Sequence, residues 1–202
     1  MTHEAGAATL AWDRGSFRDR GNRVYDDGAT IYRGVDENAL ENFRRFSETP
    51  LFKKFVDNGK IVRTEILPAG ARPDLPKGWA GFLAHERLPF ISYPYEWSFG
   101  ELKDSALLQL ELLEKFIPEG WTHKDSSAFN IQFHGAQPVF IDVPSFEPYV
   151  EGEPWVGYRQ FCMMYLYPLM LRAYKDIDYR PFLRANLEGV EPDTANRILS
   201  GF

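Results

Sequence analysis

The stretch from Trp121 to Glu147, WTHKDSSAFNIQFHGAQPVFIDVPSFE, constrains the fold more than any other part of the chain. It sets Asp125 and Asn130 on either side of a short polar loop, followed by two brief apolar runs. Ile131 to Phe133 and Pro138 to Ile141 each read as a strand, and His134 with Gly135 between them predicts a tight hairpin. Asp142, at the end of the second strand, is thereby returned toward Asn130. A chain obeying this pattern holds two aspartates and an amide within reach of one another.

Those residue types suit phosphoryl transfer from a nucleotide. The reaction needs hard oxygen ligands for magnesium and a carboxylate beside the attacking hydroxyl, because catalysis is largely positioning and charge neutralisation. On this reading Asp125 orients or deprotonates the acceptor, and Asn130 and Asp142 hold the metal. His123-Lys124-Asp125, then Asn130 five positions later, then Asp142 after an apolar strand, resembles the catalytic loop and metal-binding aspartate of the protein-kinase-like superfamily. The small-molecule kinases of the aminoglycoside and choline type share that layout. More narrowly, KDSSAFNIQF followed by PVFIDVPSFE resembles the kinase-like segment that precedes the methyltransferase domain in some bacterial SAM-dependent methyltransferases, including nodulation-type proteins.

The resemblance implies an α+β chain with a protein-kinase-like two-lobed fold: a small antiparallel-sheet lobe over residues 1–95 and a reduced, mainly helical large lobe over 96–202. It implies ATP or another nucleotide with Mg2+ as cofactors, Arg33 and Lys124 as nucleotide-binding residues, and a small hydroxylated acceptor. Arg33, in IYRGV, stands where kinases carry a strand lysine, and Glu37 or Glu41 from the next helix could pair with it. An ordinary cross-strand charge is the other reading of Arg33.

The pattern also departs from the family. Gly15, Gly21 and Gly28 do not form G-x-G-x-x-G, and a planar guanidinium is no direct substitute for an ammonium point charge. Asp142 is followed by Val143-Pro144, which stiffens the segment after it. These departures support an alternative, a pseudokinase that serves a methyltransferase or biosynthetic partner as scaffold or regulatory module. A lesser alternative is a metal-dependent hydrolase using His123, Asp125, His134 and Asp142, although no H-x-H or H-E-x-x-H unit is present. His123 is otherwise expected to brace its loop and His134 to sit on the surface, while His3 and His85 carry no case. Methyl transfer by this chain is the least supported reading, since no G-x-G occurs anywhere in it.

Earlier segments read in the order a kinase-like fold requires. Ser16 to Val35 suggests two strands joined at Asp26-Asp27-Gly28. Asp36 caps a helix whose Ala39, Leu40, Phe43 and Phe46 recur at helical spacing. Leu51 to Val56 is a second short helix closed by Asn58-Gly59. Lys60 to Leu67, Ala80 to Leu88 and Phe90 to Tyr93 are expected strands, with a Pro- and Gly-rich loop over 68–78. PYEWSFG resembles a hinge, and Ser98 with Glu101 forms a capping box. Leu102, Ala106, Leu110, Leu113 and Ile117 mark one face of the helix that follows, which stops at Pro118, Glu119 and Gly120. Phe161 to Tyr174 is expected to be a core helix kinked at Pro168, too short an apolar run to span a bilayer, which takes about 20 residues. Its aromatic residues read as core, as does Cys162.

At 202 residues and 44% hydrophobic, the chain can bury a substantial core. A formal charge of −6 argues against a general nucleic-acid surface. One cysteine excludes an intrachain disulfide, and the first residues lack a secretory signal pattern, so the cytoplasm is the expected compartment and no membrane association is expected. The shortness of the large lobe fits either a minimal version or the leading domain of a longer protein.

Overall fold

The computed structural model describes residues 10–12 and 22–201. The chain is mixed α+β with antiparallel sheets. Strands β1 (Ala11–Trp12), β2 (Asn22–Asp26), β3 (Thr30–Val35), β4 (Thr64–Ile66) and β5 (Gly81–Glu86) form one five-stranded sheet in the order β1-β2-β3-β5-β4. The turn between β2 and β3 is the expected Asp26-Asp27-Gly28, where Gly28 takes φ +87° and the Asp27 carboxylate accepts from the amides of Ala29 and Thr30. The proposed strand residues 16–21, with Gly15 and Gly21, lie outside the described residues.

Two helices, α1 (Glu37–Ser47) and α2 (Pro50–Asp57), enter between β3 and β4. Asp36 accepts from the Ala39 amide, as its position predicts, and Thr49 caps α2 with Pro50 at the first helical position. Phe43, Phe46, Phe52 and Phe55 turn inward from these helices into the main core. The Phe46 ring stacks on Phe146 with centroids 4.2 Å apart, which joins α1 to the strand beyond Asp142.

The sheet has two unlike faces because its side chains alternate. Val35 and Leu83 point into the main core, whereas Tyr25, Tyr32 and Leu75 form a small separate cluster on the other side. Two strand expectations are corrected here. Lys60 to Leu67 is a strand only over β4, and Ile61 instead makes an isolated parallel bridge to Phe140. Phe90 to Tyr93 forms no strand: Phe90 and Ile91 are exposed, and Ser92 is held by the Gln132 side chain through both its amide and its carbonyl.

After a short 3-10 turn at Pro94–Glu96 comes α3 (Phe99–Phe116), opened by the Ser98–Glu101 capping box. Its buried side differs from the expected stripe, because Leu110 is exposed and Leu108, Gln109, Leu112 and Phe116 are buried. The helix is enclosed on more than one side, so a single narrow stripe does not describe it. Gly120, at φ +81°, then ends the following turn.

Strands β6 (Trp121–His123), β7 (Ile131–His134), β8 (Gln137–Phe140) and β9 (Phe146–Pro148) make two small sheets, β6 with β9 and β7 with β8. The β7–β8 hairpin turns at Gly135, as expected. The remaining chain is helical: α4 (Tyr158–Phe161), a π segment at Cys162–Leu166, α5 (Tyr167–Lys175), α6 (Arg180–Ala185) and α7 (Pro192–Leu199). The distortion expected at Pro168 occurs one turn earlier. Tyr167 N donates to the Cys162 carbonyl five residues back, a π pattern, and Pro168 has no N–H to give the next carbonyl. The Met163 carbonyl is taken instead by Val190 N at 2.8 Å. No helix among the described residues is long and apolar enough to cross a membrane.

Candidate functional site

The hairpin is fixed from both sides. Phe140 N donates to the Lys60 carbonyl and Val62 N to the Phe140 carbonyl, each at 2.9 Å, so β8 is laced to the segment leading into β4. Ile141 N donates to the Asn130 carbonyl at 2.9 Å. Just beyond, Asp142 enters a 3-10 turn, Val143–Ser145, where its own carbonyl accepts from Ser145 N at 3.0 Å and Ser145 Oγ at 2.7 Å. The backbone of Asp142 is therefore set before any side-chain contact is made.

Arg33 reaches from β3 to the Asp142 carboxylate and forms an ion pair with it. Neither side chain is more than 15% exposed, so the pair is poorly screened by solvent. This corrects the expectation that Glu37 or Glu41 would partner Arg33: both glutamates are exposed, and Glu41 pairs with Arg44 on its own helix. The helix presents them to water while β3 directs Arg33 inward, on the same face as Val35.

Asp125 sits in the loop between β6 and the 3-10 turn Ala128–Asn130. Its Oδ1 accepts from Ser127 N at 2.8 Å. Ser126 anchors the loop to the helical region, with its N–H donating to Gln160 Oε1 at 2.8 Å and its Oγ to the Gly157 carbonyl at 2.5 Å. Asn130 Nδ2 lies 3.5 Å from the Asp125 carbonyl and 3.4 Å from Asp142 Oδ2, bridging the two aspartates' positions. Burial pushes the Asp125 carboxyl above its ordinary value, and the nearby Asp142 charge adds to the shift; Ser127 N–H and the Asn130 and Gln160 side chains oppose it. A carboxylate so placed is a stronger proton acceptor than one in water.

A cleft of about 790 Å³ opens beside these groups. Arg33, Asp125 and Asn130 line it, along with His85, Arg87 and Gln160, and Val24, Ile31, Val62, Leu88, Ile91, Phe129 and Ile141 give it apolar walls. Asp142 is not in the lining; it contacts Arg33 and Asn130, which are. Lys124 is not brought together with the others. It is exposed and lines a separate hollow of about 240 Å³ with Trp155, Glu147 and Tyr149, because its backbone continues the β6–β9 pairing through Lys124 N to the Ser145 carbonyl.

The histidines divide as their surroundings dictate. His123 is fully buried among Phe140, Phe146 and Trp155, and burial lowers its pKa to about 3. Its carbonyl accepts from Trp155 Nε1 at 2.8 Å, so it braces the loop. His134 is exposed on the hairpin. No group of three or more His, Cys, Asp or Glu side chains that could hold a metal occurs among the described residues, so the lesser alternative of a site built from His123, Asp125, His134 and Asp142 does not form. Several cleft residues escaped the sequence reading, among them His85, Arg87 and Gln160. His85 lines the cleft because β5 pairs with β3 in a register that sets it opposite Ile31, on the sheet face that carries Arg33, and Gln160 reaches the site from a helix 35 positions after Asp125.

No family model matches the chain. It is homologous to Nodulation protein NoeA of Rhizobium meliloti (strain 1021), with 38% identity over 190 residues. The match covers 92% of this chain but 39% of that protein, so the chain spans well under half the length of its relative.

Proposed function

We propose that this chain is a protein-kinase-like nucleotide-binding domain that transfers a phosphoryl group from ATP to a small hydroxylated acceptor. One observation carries the reading: Arg33 from the sheet lines a single cleft with Asp125 and Asn130 from the loop, and Asp142 from the hairpin contacts both Arg33 and Asn130. The order of elements supports it too, with strands, intervening helices, a turn after the sheet, a long helix and then the motif hairpin. In this reading residues 1–95 are the small lobe and 96–202 the reduced large lobe.

The residue types suit magnesium, since Asp142 offers carboxylate oxygens and Asn130 an amide oxygen. Asn130 meets Asp142 Oδ2 through its amide nitrogen at 3.4 Å and Arg33 pairs with Oδ1, so an ion here would take the place of both contacts. Asn130 and Asp142 would hold the ion, which when bound supplies charge neutralisation to the phosphates. Arg33 and Arg87 are the cations of the cleft lining, and the apolar walls suit a flat base. Asp125, with its raised pKa, orients the acceptor hydroxyl and takes its proton. Lys124, outside the lining, is left without a nucleotide role.

A second reading is favoured by a specific contact. Arg33 already occupies Asp142, and a guanidinium stands where an ammonium is expected, which suits a pseudokinase module serving a methyltransferase or biosynthetic partner. The greater length of the nodulation relative leaves room for such a partner within one protein.

Thermal-shift titration with ATP and magnesium tests the proposal. Wild type is expected to rise in Tm with ligand concentration by mass action, and Asp142→Asn to rise much less. Absence of any shift in wild type rejects both readings. ATP consumption across hydroxylated acceptors, abolished in Asp125→Asn with nucleotide binding retained, selects the enzyme over the scaffold.

A further inference from the structure

Gln160 is half-buried, lines the cleft with Asp125 and is engaged by the loop that carries that aspartate. Ser126 N lies 2.8 Å from Gln160 Oε1. A backbone N–H can only donate, so the Gln160 amide turns its oxygen to Ser126 and its nitrogen the other way. That nitrogen carries two protons, and the Gln160 side chain hydrogen-bonds the Asp125 carboxyl in the sense that favours its ionised form. One side chain thus grips both the backbone just after Asp125 and the carboxylate itself.

The seating of the loop makes this grip possible. Ser126 Oγ donates to the Gly157 carbonyl at the start of α4. A Cβ at Gly157 would stand 2.9 Å from Ser126 Oγ and 2.8 Å from the Trp155 ring, so glycine lets loop and helix close together. Gln160 follows about one helical turn later. Further along, Met164 Sδ receives Ser127 Oγ and Ala128 N, each at 3.5 Å, and Gln109 Nε2 reaches the Ser127 carbonyl at 3.4 Å. Those contacts hold the loop without touching the carboxylate. Ser127 and Asn130, which do bond it, belong to the loop itself, whereas Gln160 comes from the helical region.

We propose that Gln160 is a positioning residue whose amide holds the Asp125 carboxylate in the orientation that meets the acceptor hydroxyl. The inference rests on the reading of the cleft as a phosphoryl-transfer site. A carboxylate bound only from its own loop moves with that loop. A second hold from α4 ties it to a frame the loop does not share, and small misplacements of a reacting group are costly in rate.

ATP hydrolysis, in which water stands in for the acceptor hydroxyl, tests the role. Gln160→Met, similar in size, should lower kcat about tenfold, the effect of about one hydrogen bond made in the transition state, and leave KM for Mg-ATP within about twofold. Gln160→Glu keeps an oxygen for Ser126 N–H but offers no proton to Asp125, and it should lower kcat as far. It carries the test if Gln160→Met misfolds. A purely structural brace predicts instead that Gln160→Glu turns over like wild type. In the ligand-free protein, the nitrogen-15 resonance of Gln160 Nε2 should move on Asp125→Asn. An unmoved resonance, wild-type kcat in Gln160→Glu, or a KM that rises as kcat falls overturns the positioning role alone. A wild type that binds Mg-ATP without hydrolysing it overturns the enzyme reading and the inference with it.

Discussion

His123 shows what a single polar side chain experiences in this core. Both its ring nitrogens are buried and unpartnered within an aromatic enclosure. Its pKa of about 3 lies below that of the unfolded chain, so between about pH 6.5 and about 3 the unfolded state takes up a proton that the folded state refuses. The stability associated with neutral His123 is therefore present above the unfolded value and lost as pH falls through that window. His123→Phe should stabilise the fold by about 1 kcal/mol at pH 7, since it removes unpaired polar atoms without emptying the space. Its advantage over wild type should widen on acidification, as read by urea denaturation at pH 7 and pH 5. A gap that narrows would mean the ring finds a partner. The loop-bracing role of His123 was implied by the kinase-like resemblance of His123-Lys124-Asp125, but the place of His85 in the cleft lining was not legible. A histidine in an alternating strand can face either side, and only the pairing with Arg33's strand decides which.

Among the elements, the helix carrying Pro168 is the most constrained. The π segment leaves the Met163 carbonyl to Val190 N, and Gly189 must pass close enough for that bond to form. A Cβ at Gly189 would stand 2.4 Å from the Met163 carbonyl oxygen, and its φ of +99° is one that side chains disfavour. Gly189→Ala should cost about 2 kcal/mol or more, from backbone strain together with the clash. Urea denaturation against wild type measures it, and a loss below half that would show that the segment relaxes freely. Proline announced a disturbance in the sequence, but its place depended on the distant Val190 amide. Elsewhere, caps at Asp36 and Ser98 were readable because the signal and its partner lie three residues apart. Phe90 to Tyr93 misled because an apolar run next to a sheet resembles a strand, whereas its backbone is engaged by the Gln132 side chain.

For the whole molecule, the contact between Arg33 and Asp142 joins residues 109 positions apart and ties the five-stranded sheet to the hairpin turn. A double-mutant cycle on Arg33→Met and Asp142→Asn should give a coupling of roughly 1–2 kcal/mol. Either single variant should be less stable than the double, because each leaves a partly buried charge alone. Additivity would mean that the sheet and hairpin hold together without the pair. The sequence pointed to Asp125, Asn130 and Asp142 by type and spacing and to Arg33 through the kinase-like resemblance, but not to His85 or Gln160. It could not supply the contact between two of them, which depends on how the sheet packs over the loop.

Under the proposed nucleotide reading, that same contact sets an order of events at the site. A bare divalent cation approaching Asp142 competes with a guanidinium already fastened there, and displacing it would strand Arg33 with no counter-charge. Escorted by an anionic phosphate chain, the cation brings Arg33 a replacement partner in the same step. Magnesium alone should therefore bind poorly, and adding a nucleotide should raise its apparent affinity by at least about tenfold, the scale of coupling between linked ligands. Arg33→Met should erase most of that difference, a result that titration of magnesium with and without nucleotide would reveal.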